Sequence, residues 1–149
     1  MKTQAHIHEE VFSSSPEEVF ALLHTPSAIR KWWSAAQAIV VPEVGGIWCA
    51  TWGGSEDEPD YVGSATIEVF DPPRRLVLTE YEYFARSGPL PFEADFKVEF
   101  LVEPHPDGSS LKVVQDGFPI SEEGNSFLEA CVTGWTNTFA GIRSYLELV

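Results

Sequence analysis

Residues 126–149, SFLEACVTGWTNTFAGIRSYLELV, end a chain of 149 residues and decide its fold. Apolar residues recur there every three or four positions, which is the spacing of one face of an α-helix. They are Leu128, Cys131, Trp135, Phe139, Ile142, Leu146 and Val149. The pattern predicts one long amphipathic helix that buries this face against another part of the protein.

A second row, made of small residues, runs along the same predicted helix. Its members are Ala130, Gly134, Thr138 and Gly141. Small side chains that face a sheet allow either a close approach of two backbones or an unfilled space. The first alternative gives a solid core and the second gives a ligand pocket. The sequence alone leaves both open.

Most of the chain before this helix has the alternation and the turn chemistry of β-strands. The predicted strands are 5–12, 38–41, 46–52, 61–70, 75–83, 92–102 and 110–118. From the second strand onward, Pro- and Gly-containing turns separate them, and these turns leave no room for the helical crossovers that parallel strands need. We therefore expect an antiparallel sheet, with Trp48 and Trp52 on one face of the same strand.

Two short helices are predicted between the first and second strands. Ser15 is placed to cap the first helix, Pro16 suits its first position, and Glu18 completes a capping box. A second start signal at residues 25–26 precedes a helix over 27–33. The predicted fold class is α+β. A curved sheet with one apolar face must bury that face, and the C-terminal helix, at about 1.5 Å per residue and so roughly 35 Å, is the only predicted element long enough to cover it.

Composition excludes several classes of function. The formal net charge of −14 repels nucleic-acid phosphates and anionic lipid surfaces, so neither nucleic acid nor membrane is an expected partner. The first 11 residues lack an apolar signal core, and no run approaches the roughly 18 apolar residues of a membrane span. We expect a single domain over residues 1–149, located in the cytoplasm, with both cysteines reduced.

The chain has no sequence motif of a catalytic, metal or cofactor site. His6 and His8 alternate on the first strand, but no third ligand has a supporting spacing, so no metal is expected. The Gly-Gly pairs at 45–46 and 53–54 lack the context of a phosphate loop, and a nucleophile elbow is absent. The sequence therefore predicts no cofactor and assigns no catalytic residue.

Six short motifs, in order along the chain, carry a family resemblance. They are SPEEVF at 15–20, IRKWW at 29–33, VGGIW at 44–48, Gly63 followed by VFDPPRRL at 69–76, QDGF at 115–118, and Gly134-Trp135 with Tyr145-Leu146. Together they resemble the START-like superfamily, also called SRPBCC. The most similar branch is that of the C-terminal domain of the activator of Hsp90 ATPase.

This resemblance implies a helix-grip fold, in which a bent antiparallel sheet wraps the C-terminal helix and leaves a cavity between them. Proteins of this superfamily bind hydrophobic small molecules, and some cyclise polyketides or act on aromatic substrates. The activator's separate N-terminal domain has no counterpart in these 149 residues. We therefore do not expect stimulation of Hsp90 ATPase to transfer to this chain.

Ten residues are candidates for the wall of such a cavity. They are Trp33, Trp48, Trp52, Phe96, Phe100, Gln115, Gly134, Trp135, Thr138 and Phe139. Gln115 alternates with apolar residues on its strand, so its amide is expected to point inward and to need a hydrogen-bond partner. On the predicted strand 75–83, Glu80 and Glu82 alternate with Tyr81 and Tyr83, and either pair could turn inward.

Three functions remain open at this point. The first is a binding protein that holds a hydrophobic or aromatic small molecule in the cavity. The second is an enzyme of the cyclase or hydrolase type, which would need convergent ionisable groups in the same cavity. The third is a chaperone-linked interaction module, which rests on the family resemblance alone. The sequence does not give the oligomeric state.

Overall fold

Seven antiparallel strands form a single sheet in a computed structural model that describes residues 2–148. The strands are β1 (Thr3–Phe12), β2 (Gln37–Val40), β3 (Ile47–Trp52), β4 (Tyr61–Asp71), β5 (Arg75–Ala85), β6 (Lys97–His105) and β7 (Gly108–Pro119). Their order across the sheet is β1-β7-β6-β5-β4-β3-β2, so β1 and β2 are the two edges. Val149, the last member of the predicted apolar row, lies outside the described residues.

Three helices complete the fold: α1 (Pro16–His24), α2 (Pro26–Trp32) and α3 (Glu122–Leu148). The first two lie between β1 and β2 in the chain, and α3 follows the last strand. The predicted α+β helix-grip architecture is confirmed. Across the described chain, no helix has both the length and the apolar character needed to cross a membrane.

Helix α1 begins where its sequence signals predict. The Ser15 hydroxyl accepts a hydrogen bond from the Glu18 backbone N–H at 3.2 Å. The same hydroxyl lies 3.1 Å from the Glu18 carboxylate, to which it donates. The Glu18 carboxylate thus meets the Ser15 hydroxyl and not the Ser15 backbone N–H, so Ser15 caps the helix but the predicted capping box forms only in part. Pro16 occupies a position whose N–H would have no helical partner.

Two tryptophans donate hydrogen bonds to carbonyl groups at the end of α1. The last carbonyls of a helix have no partner within the helix, and leaving them buried and unpaired is costly. The Trp32 indole N–H donates to the Leu22 carbonyl at 2.9 Å, and that of Trp48 donates to the Leu23 carbonyl at 3.0 Å. Because Trp48 lies on β3, its hydrogen bond joins the sheet to α1.

Two elements, α3 and β6, have boundaries that differ by more than two residues from the sequence prediction. Helix α3 begins at Glu122, four residues before the predicted start at 126, and the Ser121 hydroxyl accepts a hydrogen bond from the Gly124 N–H at 3.0 Å. The sixth strand covers Lys97–His105 instead of 92–102. Residues 92–96 lie in a loop, where Phe92 and Phe96 pack their rings against Phe127 of α3. Aromatic packing there replaces strand pairing.

Burial divides α3 into two unequal parts. From the middle of the helix onward, Trp135, Phe139 and Ile142 are buried. Before Trp135, the only buried residue of α3 is Gly124 in the first turn, and Leu128 and Cys131 are half-buried. The C-terminal half of α3 is therefore part of the hydrophobic core, whereas the N-terminal half covers a less filled region.

A polar seam holds α3 along the edge strand β1. Gln4 donates to Asn125 at 2.6 Å near one end of the helix, and Arg143 donates to Glu10 at 2.8 Å near the other. His8 lies 2.7 Å from the same Glu10 carboxylate. Between these pairs, the buried Nε2 atom of His6 has no hydrogen-bond partner among the described residues. The seam thus contains one unsatisfied imidazole.

Stability is expected to fall in mild acid because of His6. Burial, and secondarily the charge of His8, lowers the pKa of His6 below its ordinary value of 6.5. The imidazole of His6 therefore binds a proton at a higher pH in the unfolded chain than in the folded protein. As a result, the free energy of unfolding decreases as the pH drops below about 6.5. Urea unfolding of the parent and of His6→Gln at about pH 8 and pH 5.5 measures this effect. We expect the parent to lose more stability than the variant between the two pH values.

Burial also lowers the pKa of His24, and that contribution remains in both proteins, so the comparison isolates His6. An equal loss of stability in the parent and in His6→Gln would contradict the prediction.

Candidate functional site

A cavity of about 470 Å³ lies between the N-terminal half of α3 and the strands β3 to β7. Nine of the ten residues predicted for a cavity wall lie along it: Trp33, Trp48, Trp52, Phe96, Phe100, Gln115, Gly134, Trp135 and Thr138. Eight further residues complete the wall: Tyr61, Leu78, Tyr81, Tyr83, Val98, Phe127, Ala130 and Cys131. That these residues bind a ligand stays a prediction.

Trp33 is the centre of a tryptophan cluster at one end of the cavity. It follows the last residue of α2, and its ring stacks on that of Trp32 with centroids 4.9 Å apart. Its ring centroid lies 5.7 Å from Trp48, 5.2 Å from Trp52 and 5.8 Å from Trp135. The Trp52 indole N–H donates to the Trp33 carbonyl at 3.0 Å, which fixes both residues.

Trp135 and Gln115 connect α3 to the sheet at the floor of the cavity. The Trp135 indole N–H donates to the Gln115 side-chain carbonyl at 2.7 Å. The structure thus gives the inward amide of Gln115 a protein partner. The Trp135 ring also packs edge-on against Phe100, with centroids 5.9 Å apart, and is 8% exposed. The Trp135 side chain therefore belongs to the hydrophobic core and also forms the floor of the cavity.

Phe139, the tenth candidate, lies outside the cavity. It is fully buried and contacts His8, Phe12 and Trp135 through its ring. Phe139 follows Trp135 by one helical turn, so the two share a face of α3, but Trp135 separates Phe139 from the open space. Phe139 belongs to the core that anchors the C-terminal half of the helix.

The surroundings of the row of small residues on α3 change between Thr138, which lines the cavity, and Gly141. A Cβ atom added to Gly134 would meet no atom within 4 Å, so Gly134 borders open space. A Cβ atom on Gly141 would lie 2.3 Å from the Trp32 carbonyl oxygen, so Gly141 allows close packing of α3 on α2. Both alternatives that the sequence left open are therefore realised, one in each half of the helix.

The exposed members of the wall mark the opening of the cavity. Tyr61 on β4 and Tyr83 on β5 are 44% and 38% exposed, and they stack with ring centroids 6.3 Å apart. Across the opening, Ala130 and Gly134 of α3 are exposed as well. Tyr83 reaches Phe127 of α3 at a centroid distance of 6.2 Å. Aromatic rings therefore border the entrance on the side of the β4–β5 hairpin.

Comparison with known proteins identifies the family. The family model described as activator of Hsp90 ATPase homolog 1-like protein matches residues 13–147. The chain belongs to this family. The resemblance of its sequence motifs to the START-like superfamily is thereby confirmed. A comparison with curated proteins finds no match.

Solved structures of low sequence identity share the fold of this family member. One from Mesorhizobium loti is 23% identical, with a TM-score of 0.78 and coverage of 98% of each chain. One from Rhodobacter sphaeroides is 19% identical, with a TM-score of 0.79 over 97% of this chain and 93% of that one. A protein of unknown function from Staphylococcus aureus is 13% identical, with a TM-score of 0.78 over 99% and 95%.

The cavity of this family member has no charged side chain on its described wall. None of the lining residues is Asp, Glu, His, Lys or Arg. Burial raises the pKa of the Cys131 thiol to about 11, although a hydrogen bond with Gln115 opposes this shift. Burial also raises the pKa of Tyr81. Both groups are therefore uncharged at neutral pH. No group of three or more potential metal ligands is found among the described residues.

Sequence reasoning left four aromatic residues of the wall out of its site candidates: Tyr61, Tyr81, Tyr83 and Phe127. Tyr81 and Tyr83 line the cavity, whereas Glu80 and Glu82 are exposed, which decides between the two pairs that alternation left open. Phe127 falls within the predicted helix but outside the apolar row that was predicted to be buried. The excess of aromatic residues in the chain, 13% of the total, was the one signal that pointed to additional aromatic wall residues.

The two glycines of α3 are expected to respond oppositely to alanine. Gly134→Ala adds a methyl group in open space and improves helix propensity, so the free energy of unfolding should rise by up to about 1 kcal/mol. Gly141→Ala places a methyl group against the Trp32 carbonyl, so the free energy of unfolding should fall by about 1–3 kcal/mol. Urea unfolding of both variants measures the difference, and a change of the same sign in both would contradict this division of the helix.

Proposed function

We propose that this protein works in the cytoplasm as a binding protein for an uncharged hydrophobic or aromatic small molecule. The observation that carries the proposal is the cavity of about 470 Å³ whose described wall is almost entirely aromatic and aliphatic. Volumes of roughly 300–1,000 Å³ are typical of small-molecule sites, which combine apolar walls with a few polar groups. Gln115 and Tyr81 are such polar groups here.

The energetics of the wall favour an apolar occupant. Protein interiors are packed nearly as densely as organic crystals, so a space of this size among aromatic rings forgoes many dispersion contacts. A ligand that fills it gains those contacts and removes apolar surface from water, at about 25 cal/mol per Å² of apolar area. A charged ligand would lose its hydration without meeting an opposite charge on the described wall.

The other two hypotheses receive less support. General acid–base catalysis needs groups that exchange protons near neutral pH, and the pKa values of Tyr81 and Cys131 are both raised by burial. A chaperone link still rests on the description of the family alone. Neither hypothesis has a specific structural observation in its favour, so small-molecule binding is the function we put forward.

Native mass spectrometry tests the proposal although the ligand is unidentified. The purified protein is measured before and after extraction with organic solvent, and again after addition of N-phenyl-1-naphthylamine, an uncharged aromatic probe. We expect either a copurified species that extraction removes or a complex with one molecule of the probe. A protein that carries nothing after purification and binds no probe would contradict the proposal.

Substitution of Gly134 locates the site. Gly134→Leu places a branched side chain in the open space at this position while improving helix propensity. We expect the affinity for N-phenyl-1-naphthylamine to fall by about tenfold or more, which corresponds to at least about 1.4 kcal/mol. Quenching of tryptophan fluorescence reports the binding, because four of the five tryptophans line the cavity.

Ala140→Leu is the matched control. Ala140 lies on the same helix but is exposed and is not part of the wall. The control should bind the probe like the parent. An equal loss of affinity in both leucine variants, or no loss in Gly134→Leu, would place the binding site elsewhere.

A further inference from the structure

An irregularity in strand β5 aims two tyrosines into the cavity. Ser64 of β4 pairs with Glu82, and Thr66 pairs with Thr79, so Ala65 faces both Glu80 and Tyr81. Two residues opposite one define a β-bulge. Glu80 has a φ of 52°, a left-handed conformation that is unfavourable for a residue with a long side chain. Strain of this kind persists where the surrounding structure requires it, often at binding sites.

The bulge reverses which side chains of β5 face the cavity. Leu78 lines the cavity, and strict alternation from Leu78 would direct Glu80 and Glu82 to the same side. The additional residue shifts the alternation by one, so Tyr81 and Tyr83 line the cavity and both glutamates are exposed. The bulge therefore places two phenols where a regular strand would place two carboxylates.

A glycine on the neighbouring strand makes room for the Tyr81 hydroxyl. A Cβ atom added to Gly63 of β4 would lie 2.6 Å from the Tyr81 hydroxyl oxygen and 3.6 Å from the Trp52 ring. Any larger residue at position 63 would displace the phenol. Gly63 is buried, so contacts within the cavity wall determine where the Tyr81 hydroxyl lies. The hydroxyl of Tyr81 is held between the sheet and the open space.

Three of the four tryptophans of the wall have already used their indole N–H groups. The indoles of Trp48, Trp52 and Trp135 donate to protein oxygens, and the last of them uses the side-chain carbonyl of Gln115. Tyr81 lines the cavity, and burial keeps its phenol protonated at neutral pH. Its hydroxyl is therefore able to donate a hydrogen bond to a ligand in the cavity.

We infer that the ligand of this cavity is an uncharged aromatic compound bearing a carbonyl or ether oxygen, which accepts a hydrogen bond from Tyr81. This inference rests on the proposed function and specifies its ligand class. An apolar ligand that covered the Tyr81 hydroxyl without bonding to it would leave a desolvated donor, at a cost of about 1–3 kcal/mol, and a ligand oxygen avoids that cost. An anionic acceptor is disfavoured, because no described lining residue is cationic and the chain carries a net charge of −14.

Two probes of similar shape test the inference: 2-acetylnaphthalene, which carries a carbonyl oxygen, and 2-isopropylnaphthalene, which does not. Their dissociation constants are measured by tryptophan quenching for the parent, for Tyr81→Phe and for the control Tyr145→Phe. Tyr81→Phe should weaken the ketone about tenfold and change the hydrocarbon by less than about twofold. Tyr145 is a half-buried residue of α3 that is not part of the wall, so Tyr145→Phe should affect neither probe.

The possible failures are distinguishable. If the hydrocarbon binds the parent and Tyr81→Phe weakens both probes equally or neither, the role of Tyr81 is wrong and the proposed function stands. Tighter binding of the anion 2-naphthoate than of 2-acetylnaphthalene would also overturn the ligand class. If neither neutral probe binds the parent, the proposed function fails together with the inference.

Discussion

The hydrogen bond from the Trp135 indole to Gln115, 2.7 Å long, fixes the middle of α3 to β7, and the rest of the structure is arranged around it. Beyond this point the helix buries Phe139 and Ile142 in the core. Before this point it spans a cavity, with Gly134 bordering open space. A single amphipathic helix thus acts as core along one half and as a cavity wall along the other.

The tryptophans have two structural roles at once. Their N–H groups satisfy buried oxygens: Trp48 pairs with the end of α1, and Trp52 pairs with the carbonyl of Trp33. Their rings form much of the cavity wall. Each hydrogen bond contributes about 1 kcal/mol to stability, and leaving its acceptor unpaired would cost more. Because these bonds hold the rings in place, the wall is preorganised, which would reduce the entropy lost in binding the proposed ligand.

Periodicity and turn chemistry predicted the helices, the strands and their antiparallel sheet, and the family resemblance implied the helix-grip arrangement. Together they predicted only part of the site. The apolar spacing on α3 and the N-cap at Ser15 determine local structure directly, so the sequence was sufficient to predict both. Phe139 was misplaced because it shares a helical face with Trp135, and periodicity cannot distinguish a core from a cavity. Gly134 and Gly141 were indistinguishable for the same reason. The inward turn of Tyr81 depends on a β-bulge, which involves two strands and leaves no signal in either one alone.

Residue-resolved amide hydrogen exchange, measured by NMR on the protein freed of any ligand, tests the division of α3 most directly. Amides gain protection from packing that resists local opening, so protection should follow burial along the helix. The account predicts that residues 128–134 exchange markedly faster than residues 136–142, with the change at Trp135. Uniform protection along the whole helix would show that its N-terminal half is packed as tightly as the core, and it would contradict the account.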